Sequence, residues 1–148
     1  MYEFNIKEIN NTKFIFDILR KKYVALQPEE WVRQNFIRYL IEKKNYPKGR
    51  IAVEYYLKVN KNDKRSDIVI FDKMLKPQIV IECKAENVKL TKDTFEQAAN
   101  YNLKLGAKYL IITNGQTTMA FEKHDDSNAY RQLAELPNYQ DIYKQQLK

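Results

Sequence analysis

Asp67 opens the apolar run Asp67-Ile68-Val69-Ile70-Phe71, and Glu82 and Lys84 close a second one, Ile79-Val80-Ile81-Glu82-Cys83-Lys84. Ionised groups at the edges of buried strands are costly unless they are paired or bind an ion. Residues two apart on a strand share a face, so Glu82 and Lys84 point together and the Cys83 side chain points away. In an antiparallel hairpin the start of one strand meets the end of the next. A hairpin spanning 67 to 84 therefore sets Asp67 beside Glu82 and Lys84, about 5 Å apart at the backbone. Two carboxylates at one point suit a hard divalent cation such as Mg2+, which takes oxygen ligands and keeps several waters. Such an ion binds a phosphate oxygen, neutralises developing negative charge and acidifies bound water. Lys84 then orients or helps deprotonate that water, or neutralises charge at phosphorus. The expected reaction is hydrolysis of a phosphodiester. A surface salt bridge between neighbouring strands is the plain alternative, because Glu-x-Lys alone is common.

Three further positions bear on this chemistry. Glu30 lies near a helix start, with Arg33 and Gln34 one turn on. A carboxylate there reaches a metal directly or through water, while Arg33 holds Glu30 or contacts phosphate. The alternative is that Glu29 and Glu30 simply favour the positive end of the helix dipole. Gln97 and Tyr101 are four apart and share a helix face. In a compact strand–helix unit that face looks toward Lys84. Otherwise they are a solvated glutamine and a half-buried tyrosine. His124 beside Asp125 and Asp126 reads as a chance surface cluster, and Cys83 as a small core residue. Lys43-Lys44, Lys48/Arg50, Lys61/Lys64/Arg65 and Lys89/Lys92 flank the proposed site in sequence. They are candidate phosphate contacts, which position a substrate without reading its sequence.

The elements that must position these residues follow from pattern. Residues 1–12 are polar and peripheral, and 13–17 form a short strand or an extended arm. Gln27-Pro28-Glu29-Glu30 starts a helix that runs to about Lys44, with Val32, Phe36, Tyr39 and Leu40 as its stripe. Strands are expected over 51–59, 65–71 and 78–84, with a turn at 60–64. In the first of these, Ile51, Val53, Tyr55, Leu57 and Val59 share one face. A helix over 92–105 then leads to a buried strand over 108–113 and a fifth strand over 117–122. Weak helices follow at 129–136 and 138–147. Three consecutive strands form an antiparallel meander, and the helix after them is a crossover that brings in a parallel neighbour. The result is an α/β domain with a mixed central sheet of four to five strands flanked by helices. It is read as one domain over 1–148, with a core at about 13–122 and a helical tail at 123–148.

Length and composition set limits. A chain of 148 residues fits one core. One cysteine and one histidine rule out an internal disulfide and a zinc finger. No run approaches the roughly 18 apolar residues of a membrane helix, and the N-terminus lacks the pattern of a signal peptide. The expectation is a cytoplasmic protein with no membrane partner. A net charge of +7 suits a polyanion such as nucleic acid, or a solvated lysine-rich surface.

Taken together, five blocks in one order resemble the N-terminal nuclease domain of type I restriction enzyme R subunits, within the PD-(D/E)xK superfamily. They are Pro28-Glu29-Glu30-Trp31-Val32-Arg33-Gln34, Arg65-Ser66-Asp67-Ile68-Val69, Ile81-Glu82-Cys83-Lys84-Ala85, Gln97-Ala98-Ala99-Asn100-Tyr101 and Thr113-Asn114-Gly115. The resemblance covers roughly residues 13–122 and implies a restriction-endonuclease-like αβββαβ core. It implies Asp67 and Glu82 as metal ligands, with the backbone carbonyl of Cys83 as a third and Lys84 as the catalytic lysine. Gln97 and Tyr101 match the Gln-x-x-x-Tyr motif of RecB-like nucleases, which supports the active site and contacts DNA. Glu30 matches the acidic residue of the first helix, with Glu29 its close competitor. Ser66 stands where the motif's name has proline. Mg2+ is the implied cofactor, with Mn2+ as a substitute. DNA is the implied substrate, and the motor, methylase and specificity subunits of a type I system are the implied partners. No Gly-x-x-x-x-Gly-Lys-Ser/Thr loop is present, so the chain is expected to be a stand-alone relative or a single domain. The alternative is a catalytically silent module on the same fold that binds nucleic acid or docks onto a complex.

Overall fold

The computed structural model describes residues 2–59 and 62–146, with side chains given except at 56–59, 62–65 and 143–146. Two sheets are present. The smaller is an antiparallel meander of β1 (Ile6–Ile9), β2 (Thr12–Asp17) and β3 (Lys22–Ala25). Asn10 and Asn11 join β1 to β2, with φ of 50° and 66°. Positive φ at both central residues makes the tight hairpin turn that matches strand twist, and asparagine tolerates it. Where the sequence suggests peripheral residues and an extended arm, the chain therefore builds a full sheet.

The larger sheet has the order β4-β5-β6-β7-β8-β9: β4 (Ile51–Val59), β5 (Asn62–Phe71), β6 (Pro77–Cys83), β7 (Tyr109–Thr113), β8 (Thr118–Lys123) and β9 (Tyr130–Leu133). Among the described residues only β6 and β7 are parallel, joined by α2 (Lys92–Leu105) as the crossover. α1 (Pro28–Glu42) precedes the sheet and α3 (Tyr139–Gln146) follows it. This is the expected mixed α/β fold with one strand more. β5 starts at Asn62, earlier than expected, and of the expected 60–64 turn Asn60 and Lys61 lie outside the described residues. Residues 130–133 form a strand where the sequence suggests a helix, so the tail after residue 122 is not all helical. They pair with β8 from Ala120–Leu133 to Lys123–Tyr130, and edge pairing overrides a weak local helix preference.

Strand alternation divides the core. Ile68, Ile70, Ile79, Ile81, Cys83 and Ile111 pack with Val32, Phe36, Ile37 and Leu40 of α1. Val69, Val80, Leu110 and Ile112 pack with Ala98 and Leu105 of α2. Each fully buried isoleucine or valine contributes about 1.5–3 kcal/mol. α2 has a capping box between Thr91 and Thr94 and ends on Gly106 at φ 76°, which explains why its limits are sharp in the sequence.

One strand breaks the alternation. Glu54 has φ 55° inside β4, and the ladder shows Val53–Ile68 and Tyr55–Ser66 pairs with no pair between them. Val53 packs on the α1 side, but Tyr55 packs on the α2 side. The single face expected for Ile51, Val53 and Tyr55 therefore ends at Val53. Leu57 and Val59 of that expectation lie outside the described side chains.

Candidate active site

Asp67 and Glu82 meet where the core sheet runs out. Ile68 pairs with Ile81, which leaves Asp67 and Glu82 as the next residues on β5 and β6. By strand alternation both fall on the face of Val69 and Val80. Lys84 follows β6; its N–H donates to Thr113 O at 2.8 Å, continuing the alignment with β7. Its Nζ stands 3.6 Å from Glu82 Oε1.

Asp67 is 5% exposed. Its Oδ2 accepts the Cys83 N–H at 2.7 Å, and its Oδ1 lies 3.7 Å from Arg33 Nη1. Glu82 is in a different state. Burial, and then the negative charge of Asp67, push its carboxyl up from 4.5 to about 7, against the pull of Lys84; Glu29 adds to the rise. A carboxyl this perturbed marks uncompensated negative charge, which a cation would relieve. Burial and the Asp67 and Glu82 charges likewise push the Cys83 thiol up. That thiol is fully buried in the α1 face of the core, as its alternation requires.

Tyr101 reaches the site from α2. Its hydroxyl donates to Tyr55 O at 3.3 Å, and burial, Tyr55 and Glu82 raise it to about 12. Gln97, one turn earlier, is exposed. The loop after Lys84 is tied to the β7–β8 turn. Asn114 Nδ2 donates to Val88 O at 2.8 Å, and Gln116 Nε2 donates to Glu86 at 2.8 Å. Asn114 Oδ1 accepts the N–H groups of Gln116 and Thr117 at 2.9 and 2.8 Å. This gives the Thr113-Asn114-Gly115 block a physical role, since it braces the backbone that carries Lys84.

The first-helix acids separate. Glu30 is buried and Glu29 exposed. Both oxygens of Glu30 are engaged by Arg33, which also reaches Glu54 at 3.1 Å. Glu30 further accepts from Arg20 and from Gln34, each at 3.0 Å. Burial works to raise its carboxyl, but Arg33, Gln34 and Arg20 hold it below the ordinary range. With its oxygens committed to two arginines, Glu30 is not placed as a direct ligand. Glu29 is the helix acid whose charge Glu82 feels.

Sequence reasoning missed Asp17, Arg20 and Glu54. Asp17 is fully buried; it accepts the N–H groups of Leu19 and Arg20, Arg20 Nε at 2.6 Å, and Gln34 Nε2 at 3.0 Å. Arg20 also stands 3.4 Å from Glu54. The available signal was Asn10-Asn11 between two alternating segments, which marks a hairpin and brings Asp17 to its end. Of the expected phosphate contacts, Lys43-Lys44 follow the end of α1, about 20 Å along the helix from Glu30. They do not flank the site. Lys61, Lys64 and Arg65 lie outside the described side chains.

The family model for the N terminus of the type I restriction enzyme R protein (HSDR_N) matches residues 28–137, most of the chain. The chain belongs to this R-protein N-terminal family. A solved structure assigned as an HsdR-subunit fragment of a type I restriction enzyme from Vibrio vulnificus YJ016 superposes with a TM-score of 0.60 at 21% identity. The match covers 82% of this chain and 25% of that one, so the chain spans about a quarter of its length and shares the fold. A protein of family DUF820 from Anabaena variabilis ATCC 29413, assigned as a nuclease, gives a TM-score of 0.49 at 10% identity, over 94% of this chain and 84% of that one. No curated protein matches the sequence.

The R-protein domain can be tested as a metal site on its own chemistry. Asp67 and Glu82 offer hard oxygen donors, and the raised Glu82 carboxyl shows that their charges oppose each other. The donor set fits Mg2+ or Mn2+. Among the described residues no group of three or more Asp, Glu, His or Cys side chains is gathered closely enough to hold a metal. The remaining ligands would therefore come from backbone, water and substrate. Also among the described residues, no helix is long and apolar enough to cross a membrane.

Proposed function

We propose that this chain is a metal-dependent DNA endonuclease domain that hydrolyses phosphodiester bonds within a type I restriction system. The observation that carries the reading is the meeting of Asp67, Glu82 and Lys84 where the paired core of β5 and β6 ends, with Glu82 destabilised as an anion. Asp67, Glu82 and the Cys83 carbonyl would hold Mg2+, with Mn2+ as a substitute; Glu29 supplies the first-helix charge. The ion supplies charge neutralisation at phosphate and acidifies water. Asp67 is held in place by the Cys83 N–H. Lys84 holds a cation beside the reacting phosphate and orients the attacking water. Tyr101 braces the β4 backbone opposite this face, and Gln97 is exposed to contact DNA. The net charge of +7 draws the polyanion to the surface. As an R-protein domain, the chain would work with motor, methylase and specificity subunits in the cytoplasm.

The test is nicking of supercoiled plasmid in Mg2+ by wild type, Lys84→Ala and Asp67→Asn. Wild type should cut and both variants should lose at least about a hundredfold in rate. Equal cutting by wild type and Lys84→Ala would remove Lys84 from the mechanism.

A further inference from the structure

Arg33 is buried, yet it touches three carboxylates. Its Nε donates to Glu30 Oε2 at 2.9 Å and its Nη2 bonds Glu30 Oε1, a two-pronged pair that fixes the plane of the guanidinium. The same Nη2 reaches Glu54 at 3.1 Å, and Nη1 is left facing Asp67 Oδ1 at 3.7 Å. Arg20 closes the network from the other side. It bonds Asp17 at 2.6 Å and Glu30 at 3.0 Å, and pairs with Glu54 at 3.4 Å. Asp17 ends β2 of the small N-terminal sheet and Arg20 lies in the turn to β3, both outside the segment 28–137 that the family model matches.

We infer that Arg33 is a positioning residue for Asp67, and that the N-terminal sheet is part of the active site because Arg20 holds Arg33's carboxylate partners. The inference rests on the metal-dependent reading above. The two oxygens of Asp67 are addressed separately, one by the Cys83 N–H and one by Arg33. At 3.7 Å the second contact is an ion pair without a short hydrogen bond. It helps aim Asp67, but it is cheap to exchange for an arriving cation. Glu30 and Glu54 then retain the guanidinium, so Arg33 does not have to follow Asp67 or leave the interior. Glu54 is available for this because its positive φ lies level with Asp67 in the ladder. Non-glycine residues in that region are strained, and such strain persists where the surroundings over-determine it.

A cation that aims a ligand also competes with the metal. This separates the role from simple structural support, because removing Arg33 should tighten metal binding while slowing cleavage. A purely structural role would weaken both. The experiment is calorimetric titration of the full chain with Mn2+, alongside plasmid nicking and a melting curve. The variants are Arg33→Met with Glu30→Gln, which keeps the charge balance, Arg33→Lys, and Arg20→Met. The double variant should bind Mn2+ about tenfold more tightly and nick about tenfold more slowly. Arg33→Lys keeps a cation on the fold and should fall between it and wild type on both readouts. Arg20→Met should shift Mn2+ affinity about threefold in the same direction. If wild type takes up Mn2+ and the Arg33 variants bind it equally or more weakly, the positioning role is overturned and the nuclease reading stands. An unchanged affinity in Arg20→Met overturns the part given to the N-terminal sheet. If wild type takes up no Mn2+, both readings fall.

Discussion

Replacing Glu82 by glutamine should make the metal-free protein more stable at alkaline pH. The Glu82 carboxyl rises from 4.5 to about 7 on folding, through burial and then through Asp67. At about 1.36 kcal/mol per pH unit, that interval corresponds to roughly 3.4 kcal/mol. The side chain is 29% exposed, and water screens part of this, so about 1–3 kcal/mol is expected. The sign follows from linkage. Between pH 4.5 and 7 the folded state keeps a proton that the unfolded state has released, so stability falls as pH rises through that window. Below pH 4.5 the carboxyl is protonated in both states and the cost vanishes. Glu82→Gln removes the cost, and its melting temperature in EDTA at pH 8 should exceed wild type by roughly 2–10 °C. At pH 4.5 and below the two should converge. Saturating Mg2+ should reverse the order at pH 8, because an ion bound only to the folded wild type stabilises it by mass action. Thermal unfolding of both proteins at pH 4.5, 6 and 8, with EDTA or with Mg2+, tests all three statements. A less stable Glu82→Gln in EDTA at pH 8 would refute the claim that Glu82 is held in an unfavourable charge state.

Other outcomes follow from the same geometry. Glu30→Gln should cost about 3 kcal/mol at pH 7, since it strips the main partner from buried Arg33. The folded carboxyls of Glu30 and Asp17 are both lowered, so their contribution is complete above the ordinary carboxylate range and lost as pH falls. The gap between Glu30→Gln and wild type in urea unfolding should therefore narrow below about pH 4.5. Asn102→Ala should cost about 2–3 kcal/mol by denaturant unfolding. It orphans the N–H and carbonyl of Ala107 and the Tyr130 hydroxyl, all within 2.9 Å of the amide. Gly115→Ala should cost about 1–2 kcal/mol in melting, from its φ of 87°, since the new Cβ would make only ordinary contact with Val32 at 3.4 Å.

The Asp67–Glu82 hairpin was legible because its signals are local. A strand period of two and one short turn are enough to bring Asp67 to Glu82, and the structure keeps that neighbourhood. α2 was legible for the same reason, with Thr91 and Gly106 marking its ends. Beyond the expected Arg33–Glu30 pair, the Arg20–Arg33 network was not. Its long-range partners are 10 to 34 positions apart in sequence, as with Arg20–Glu30 and Arg20–Glu54, and they converge only through tertiary packing. Nor did the sequence separate Glu30 from Glu29. Helix phase puts one of two adjacent acids inside, and the inner one meets two arginines. β9 was misread because Tyr-Arg-Gln-Leu carries little local preference, and its partner strand decided its form.

Glu54 has a consequence beyond the arginines it holds. β4 is one edge of the larger sheet. A long, regular edge strand is a template on which a second chain can add by backbone hydrogen bonding, the usual opening step of sheet-to-sheet aggregation. The positive φ at Glu54 interrupts β4 midway, and a buried charge network pins the interruption in place. An incoming strand therefore meets a ladder interrupted at Glu54 in place of one continuous edge. The residue that holds two arginines in the interior also breaks the regular rim of the sheet, which disfavours self-association.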